Sequence, residues 1–119
     1  MEIEGTGPWN LILLQQGAMK AKPIHQQLLG APWAVLATFH GDTFYTEEAA
    51  NVLIEWLKDD KQRGRIATAF VLSDIDICDV AVWHLKKTYR EGHETVQFFT
   101  HRTDALKWLE QKIAKPKTA

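Results

Sequence analysis

Two runs of the sequence are apolar at almost every position, and they constrain the fold more than any other feature. Residues 33–39 read WAVLATF and residues 66–72 read IATAFVL. Both runs are short for a helix, and neither alternates between apolar and polar side chains as a strand with one wet face would. Each is therefore predicted to be a strand with both faces covered, which is typical of a sheet flanked by helices.

The segment between these strands has the pattern of an amphipathic helix. Four apolar side chains recur on one helical face: Ala49, Leu53, Trp56 and Leu57. Glu55, Lys58 and Asp59 then face water. Thr46 is a suitable N-cap at the start, and Gly64 is a suitable terminator at the end.

Two more helices and one more strand follow. A polar turn at residues 73–76 leads into a helix predicted over residues 77–91 and ended by Gly92. Residues 95–99 (TVQFF) are predicted as a strand, and Thr103 as the N-cap of a last helix. The inward side chains of that helix are predicted to be Ala105, Leu106, Leu109 and Ile113.

The first thirty residues leave two readings open. Residues 2–4 could form a short strand that ends at Gly5 and Gly7, and Asn10 is a plausible N-cap. We predict a helix from about residue 11 to Gly30, disturbed near Pro23. Residues 10–22 could equally be a buried strand, because short apolar runs fit both patterns.

Strands thus alternate with helices, which indicates an α/β domain. We predict one domain over residues 1–119, with a frayed tail at residues 115–119. Four or five mostly parallel strands would be covered by about four helices. A chain of 119 residues is long enough to bury a core of this kind.

Composition excludes several classes of function. The net charge is −1, so no overall field favours nucleic acid or an anionic membrane. Cys78 is the only cysteine, which excludes an internal disulfide. The start carries no basic leader and no apolar run approaches the roughly 20 residues of a membrane helix. We expect a soluble cytosolic protein that neither binds nucleic acid nor spans a membrane.

The reactive side chains form no recognisable catalytic or metal-binding pattern. The five histidines, at positions 25, 40, 84, 93 and 101, lack the spacing of metal ligands. Cys78 and His84 fall on different faces of one predicted helix, and Ser73 is not part of a nucleophile elbow. No phosphate-binding glycine motif occurs. We therefore predict a protein that is not an enzyme and needs no cofactor or metal.

Several strings, in order, resemble the STAS domain, the fold of sulphate-transporter tails and anti-sigma-factor antagonists. They are GPWN, PWAVL, TEEA, RIATAFVLS and FFTHRTDALKWL. More closely, the chain resembles small bacterial single-domain STAS-like proteins. The resemblance covers nearly the whole chain and implies a non-enzymatic signalling module that binds another protein. It also implies a strand or hairpin before the first helix.

The place of the family's regulatory serine gives a candidate partner surface. Where STAS proteins carry an Asp-Ser motif, this chain has Tyr45, Thr46, Glu47 and Glu48. Thr46 and the two carboxylates can be explained as a helix cap. They can also place permanent negative charge where relatives acquire phosphate, which argues against a phosphoserine switch. The surface predicted to bind a protein partner consists of Asp42, Thr43, Thr46, Glu47, Glu48 and Asn51.

The aromatic residues support an alternative function. The chain has five tryptophans, and each could simply cover the sheet with a large apolar body. An apolar pocket between helix and sheet is the other reading, with Trp9, Trp33, Phe44 and Tyr45 in its wall. STAS-like proteins are similar in fold to a family of lipid-carrying domains. The alternative function is therefore a carrier or sensor of a small apolar ligand.

Overall fold

A computed structural model describes residues 1–28, 32–72 and 79–114, in which strands and helices alternate. This confirms the predicted α/β class. The strands are β1 (Glu2–Trp9), β2 (Trp33–Tyr45), β3 (Arg65–Leu72) and β4 (Val96–Phe99). The helices are α1 (Leu11–Leu28), α2 (Glu47–Gln62), α3 (Asp79–Glu91) and α4 (Arg102–Ala114).

The four strands form one parallel sheet in the order β1-β2-β3-β4. Each strand therefore lies beside the next one in the chain. Ligand crevices in open α/β sheets usually form where the strand order reverses. These four strands contain no such reversal, so a binding site between them and their helices needs another origin.

The two faces of the sheet have different side chains because they pack against different helices. Large residues such as Val35 and Phe70 fill the face that carries α1, α2 and α3. The opposite face is rich in alanine, including Ala67 and Ala69, and packs against Leu109 of α4. This double coverage is what the apolar runs on β2 and β3 predicted.

Strands β1 and β2 are longer than the sequence predicts. The expected ends at Gly5 and after residue 39 are wrong, because β1 continues to Trp9 and β2 to Tyr45. The extensions pair with each other, Gly7 with Gly41 and Trp9 with Tyr45, with an irregularity between the two pairs. Gly41 has a φ of 69°, which glycine adopts without steric cost, so the strand can continue through it.

Helix α1 resolves the ambiguity over residues 10–22. The Asn10 side chain accepts a hydrogen bond from the Leu13 N–H at 2.9 Å, which is the predicted cap. The helix continues through Pro23 to Leu28, and its predicted end at Gly30 lies outside the described residues. None of its residues is buried, and Met19 is 75% exposed. Helix α1 therefore covers the sheet through partly buried side chains, of which Leu14 and Leu28 pack against the core.

The remaining helix ends were predicted with mixed success. Helix α2 ends at Gln62, just before Gly64 with a φ of 110°, as expected for a glycine terminator. The cap assigned to Thr103 is wrong, because the Ala105 N–H already bonds to the His101 carbonyl and α4 begins at Arg102. The polar turn at residues 73–76 and Cys78 lie outside the described residues.

Candidate functional site

A cavity of about 510 Å³ lies between α1 and the parts of β1, β2 and α2 beneath it. Its size is within the roughly 300–1,000 Å³ range of small-molecule sites. Most of the wall is apolar. The apolar lining residues include Ile3, Trp9, Leu14, Ala21, Ile24, Val35, Phe39, Leu53 and Trp56.

Trp9 forms the wall at one end of the cavity. Its ring packs 5.2 Å from Phe39 and 6.4 Å from Tyr45, measured between ring centroids. Gly5 makes this position available, since a Cβ there would lie 2.3 Å from Trp9 Cη2. The Trp9 indole N–H is buried and has no acceptor in the described part of the chain. The ring is thus held by packing and not by a hydrogen bond.

The other end of the cavity is polar and is organised by Arg65. Its Nη1 donates to Asp60 Oδ2 at 3.1 Å, its Nη2 donates to Thr68 Oγ1 at 2.7 Å, and its Nε donates to Glu94. The Thr68 hydroxyl donates to Glu94 Oε2 at 2.6 Å. The side chains of Arg65 and Glu94 are only 9% and 3% exposed. We call Asp60, Arg65, Thr68 and Glu94 the arginine cluster.

Sequence reasoning missed the arginine cluster, although one signal was available. Asp60 lies three residues after Leu57 and seven after Leu53, so it continues the apolar stripe of α2. A carboxylate on an apolar stripe must find a buried partner. Nothing in the sequence identifies Arg65 or Glu94 as that partner, because they follow in a strand and a loop.

His25 joins α1 to the arginine cluster. Its Nε2 lies 2.8 Å from Asp60 Oδ1, and its ring meets Trp33 edge-on at 5.5 Å. An ionised carboxylate only accepts hydrogen bonds, so Nε2 is the donor. In the neutral ring Nδ1 then carries a lone pair, and it has no hydrogen-bond partner among the described residues. The His25 side chain also lines the cavity.

Two buried tyrosines complete the cavity wall. The hydroxyls of Tyr45 and Tyr89 lie 3.3 Å apart and form a hydrogen bond. Burial raises the pKa of Tyr45 well above its usual value and also raises the pKa of Tyr89. Both hydroxyls consequently stay protonated and uncharged in the folded protein at neutral pH.

These two residues give a prediction for alkaline pH. Tyr45 and Tyr89 are the only tyrosines in the chain, so all tyrosinate absorbance comes from them. Because their folded pKa values are raised, the protein should lose stability as pH rises from about 10 through those values. We expect tyrosinate to appear only as the protein unfolds, in a titration followed by absorbance and circular dichroism together. Ionisation near pH 10 with the fold intact would contradict this.

Two of the four aromatic residues predicted to line a pocket are found in the cavity wall, and two are not. Trp9 and Tyr45 line the cavity. Trp33 is buried beside it and donates from Nε1 to the Arg63 carbonyl at 3.3 Å. Phe44 lies on the surface, 37% exposed, with its ring 4.8 Å from that of His84.

The predicted partner surface lies at the start of α2. Thr46, Glu47, Glu48 and Asn51 are all exposed. Asp42 and Thr43 belong to β2, and their side chains lie outside the described structure. The Thr46 hydroxyl accepts a hydrogen bond from the Ala49 N–H at 3.2 Å, which confirms its role as a cap.

The cap gives a second prediction. Thr46→Ala should lower the free energy of unfolding by about 1 kcal/mol, since it leaves an N–H of the first turn without its partner. Thr46→Ser keeps the hydroxyl and should stay close to wild type. Urea denaturation of the three proteins measures this, and equal losses in both variants would show that the methyl group and not the hydroxyl matters.

Two of the other histidines, His40 and His84, have structural side-chain contacts. His40 Nε2 donates to Glu4 Oε2 at 2.8 Å, and His84 Nε2 accepts from the Tyr45 N–H at 3.0 Å. Over residues 1–28, 32–72 and 79–114, no three His, Cys, Asp or Glu side chains converge as metal ligands would. Within the same ranges, no helix has the length and apolar character needed to cross a bilayer.

No protein-family model, curated protein or solved structure matches this chain. The resemblance to STAS domains therefore remains a prediction from sequence. The candidate site has to be judged on its own geometry.

Proposed function

We propose that this protein binds a small, largely apolar molecule in the cavity beneath α1, as a carrier or a sensor. The observation that carries the proposal is the cavity itself, which combines apolar walls with a polar end. Ligand sites commonly have this composition, with a few placed polar groups that orient the molecule. The location of Trp9 and Tyr45 in the wall agrees with the pocket predicted from the aromatic residues.

Helix α1 supports the proposal as the cover of the site. It contributes Leu14, Ala21 and Ile24 to the wall but has no buried residue. Its contacts with the core come from partly buried side chains such as Leu14 and Leu28, so it can move with a smaller loss of buried apolar area than α2 or α3. The cavity is partly open to solvent, and displacement of α1 would widen its entrance without rearrangement of the sheet.

A cavity-filling variant tests the proposal. Ala21→Phe places a phenyl ring in the cavity, whereas Gln16→Phe adds the same ring at an exposed position of the same helix. We expect wild type and Gln16→Phe to bind the uncharged dye Nile red, and Ala21→Phe to bind it at least tenfold more weakly. Native mass spectrometry of protein from its own host would show a bound molecule directly. Equal dye binding by all three proteins would remove the cavity as the site.

A second candidate function is a STAS-like regulatory module that binds a protein partner. The exposed acidic turn of Glu47 and Glu48, next to the exposed ring of Phe44, favours it. Reversing both charges, Glu47→Lys with Glu48→Lys, should abolish a co-purifying partner. The same reversal at exposed Glu55 and Glu110 is the control, with an equal change in net charge. Retention of the partner by the first variant would exclude this surface. Both candidates assume a cytosolic protein.

A further inference from the structure

We infer that the outer face of α1, which consists of Ile12, Met19, Lys20 and Lys22, docks on the surface of an anionic lipid membrane. This inference rests on the proposed function and concerns the source of its ligand. An apolar molecule dissolves in lipid far better than in water, so a protein that carries or senses it would meet it at a membrane. A helix that docks in this way lies along the membrane surface and does not cross the bilayer.

The first argument is the apolar surface that α1 leaves exposed. Ile12 and Met19 are 65% and 75% exposed. They are seven residues apart, close to two helical turns, so their side chains lie on the same face of the helix. Leu14 and Ala21, which line the cavity, lie on the opposite face. The outer face therefore presents a row of apolar side chains that the described part of the domain does not cover.

The second argument is that this exposed surface adjoins the cavity. Leu13, Lys20 and Ile24 line the cavity and are also exposed, so they form its rim. Leu13 and Ile24 thus connect the apolar wall of the cavity with the exposed side of α1. A membrane in contact with the outer face would lie beside the cavity entrance.

The third argument is charge complementarity. The chain has a net charge of −1, but α1 contains Lys20, Lys22 and no acidic residue. Neither lysine makes an ion pair with a described residue. At 3.6 residues per turn, Lys20 lies about 100° to one side of Met19 and Lys22 about 60° to the other. The two ammonium groups flank the apolar row, where they can reach lipid phosphates while the row enters the head-group region.

The acidic side chains in the cavity wall offset this positive charge only in part. Three of them are exposed, and each already has a basic partner. The pairs are Glu2 with Arg102, Glu4 with His40 and Asp59 with Arg63. Lys20 and Lys22, which have no such partner among the described residues, remain available to an anionic surface.

The composition of α1 favours lipid over an acidic protein as the partner. Protein interfaces are enriched in aromatic residues and arginine and depleted in lysine. Helix α1 contains no Trp, Tyr, Phe or Arg residue, and both of its formal charges are lysines. Aliphatic side chains beside lysines are instead typical of helices that lie in a membrane interface.

Flotation of the full chain with lipid vesicles tests the inference. One set of vesicles contains equal parts of phosphatidylserine and phosphatidylcholine, and the other contains phosphatidylcholine alone. We expect the protein to bind the anionic vesicles roughly tenfold or more tightly, and this binding to weaken as salt is added. Failure to bind the anionic vesicles, or equal binding to both sets, would overturn the inference.

Two double variants identify the docking face. Lys20→Gln with Lys22→Gln should weaken binding to anionic vesicles roughly 20- to 30-fold, because each lysine near such a surface contributes about fivefold. Ile12→Gln with Met19→Gln should weaken it roughly tenfold or more, because the apolar row is lost. All four side chains are exposed, so we expect the variants to fold, which circular dichroism would establish.

Other helices provide matched controls. Lys86→Gln with Lys87→Gln makes the same change of charge on α3, and Val80→Gln with Ile113→Gln removes two exposed apolar side chains from α3 and α4. Both controls should bind vesicles like wild type. Equal losses in the controls and in the α1 variants would show that α1 is not the docking face. A protein partner that requires the two α1 lysines, in the absence of vesicle binding, would also contradict the inference.

The outcomes separate this inference from the proposed function. Vesicle flotation needs no ligand in the cavity, whereas Nile red binding is measured without vesicles. If the α1 variants bind vesicles like wild type while Ala21→Phe blocks the dye, the inference is wrong but the cavity remains a ligand site. If the α1 variants lose vesicle binding while Ala21→Phe leaves dye binding unchanged, the proposed function fails, and with it the membrane as the source of a ligand.

Discussion

Replacement of Arg65 by methionine is expected to lower the free energy of unfolding by about 3–5 kcal/mol. Methionine fills much of the same space but leaves Asp60 and Glu94 buried without their cation. The loss of one partner from a buried ion pair is costly because the remaining charge keeps its desolvation cost. Urea denaturation followed by tryptophan fluorescence would measure the change.

The chain provides a matched control for this variant. Arg102 also pairs with a carboxylate, donating from Nε to Glu2 Oε1 at 2.8 Å, but both side chains are exposed. Arg102→Met makes the same chemical change where solvent screens the charges, so its effect should be far smaller. Adding Glu94→Gln to Arg65→Met should recover part of the loss, since it removes one of the unpaired charges. Similar losses for Arg65→Met and Arg102→Met would show that the arginine cluster does not behave as a buried network.

The second large effect is expected for Phe70→Ala, which should lower the free energy of unfolding by about 3–5 kcal/mol. Phe70 is 0% exposed and lies at the centre of the face that carries α1, α2 and α3. Its ring centroid is 4.9 Å from that of Tyr89, 5.3 Å from that of Phe98 and 5.5 Å from that of Phe39. Alanine would remove these contacts and leave a space that the sheet cannot close.

Phe44→Ala is the corresponding control, because Phe44 is 37% exposed at the end of β2. We expect it to lower the free energy of unfolding by much less than Phe70→Ala does in the same denaturation experiment. The comparison also tests the cavity indirectly. If Phe70→Ala lowered the free energy of unfolding no more than Phe44→Ala, the packing beneath the cavity would be loose. The Ala21→Phe variant would then not test whether a filled cavity blocks ligand binding.

The parts of the fold that were predicted correctly are those with a strong local pattern. Strands β2 and β3 were recognised because their side chains are apolar on both faces, and α2 because its apolar stripe has a cap and a glycine terminator. The ends of β1 and β2 were missed because they depend on each other. Trp9 and Tyr45 are 36 residues apart, and their pairing has no local signature.

The candidate site was less accessible to sequence reasoning for a related reason. Arg65 and Glu94 each resemble solvated surface residues when read alone, and only their convergence with Asp60 makes them a buried cluster. The aromatic richness did indicate a pocket, and two of its four suggested members line the cavity. The volume of the cavity beneath α1 depends on the distance between this helix and the sheet. The residue types in the sequence do not specify that distance.

The position of β1 and α1 at one edge of the molecule has a consequence for the timing of ligand exchange. Among the described strands, β1 pairs only with β2, and α1 follows it directly, so the two can separate from the sheet as one unit while the rest stays folded. Such a unit should show faster amide hydrogen exchange than β3, which has a neighbour on each side. Opening of this unit would then give a ligand held beneath α1 a wider exit than the partly open cavity provides. A bound ligand would oppose this opening and would slow hydrogen exchange across residues 1–28 first.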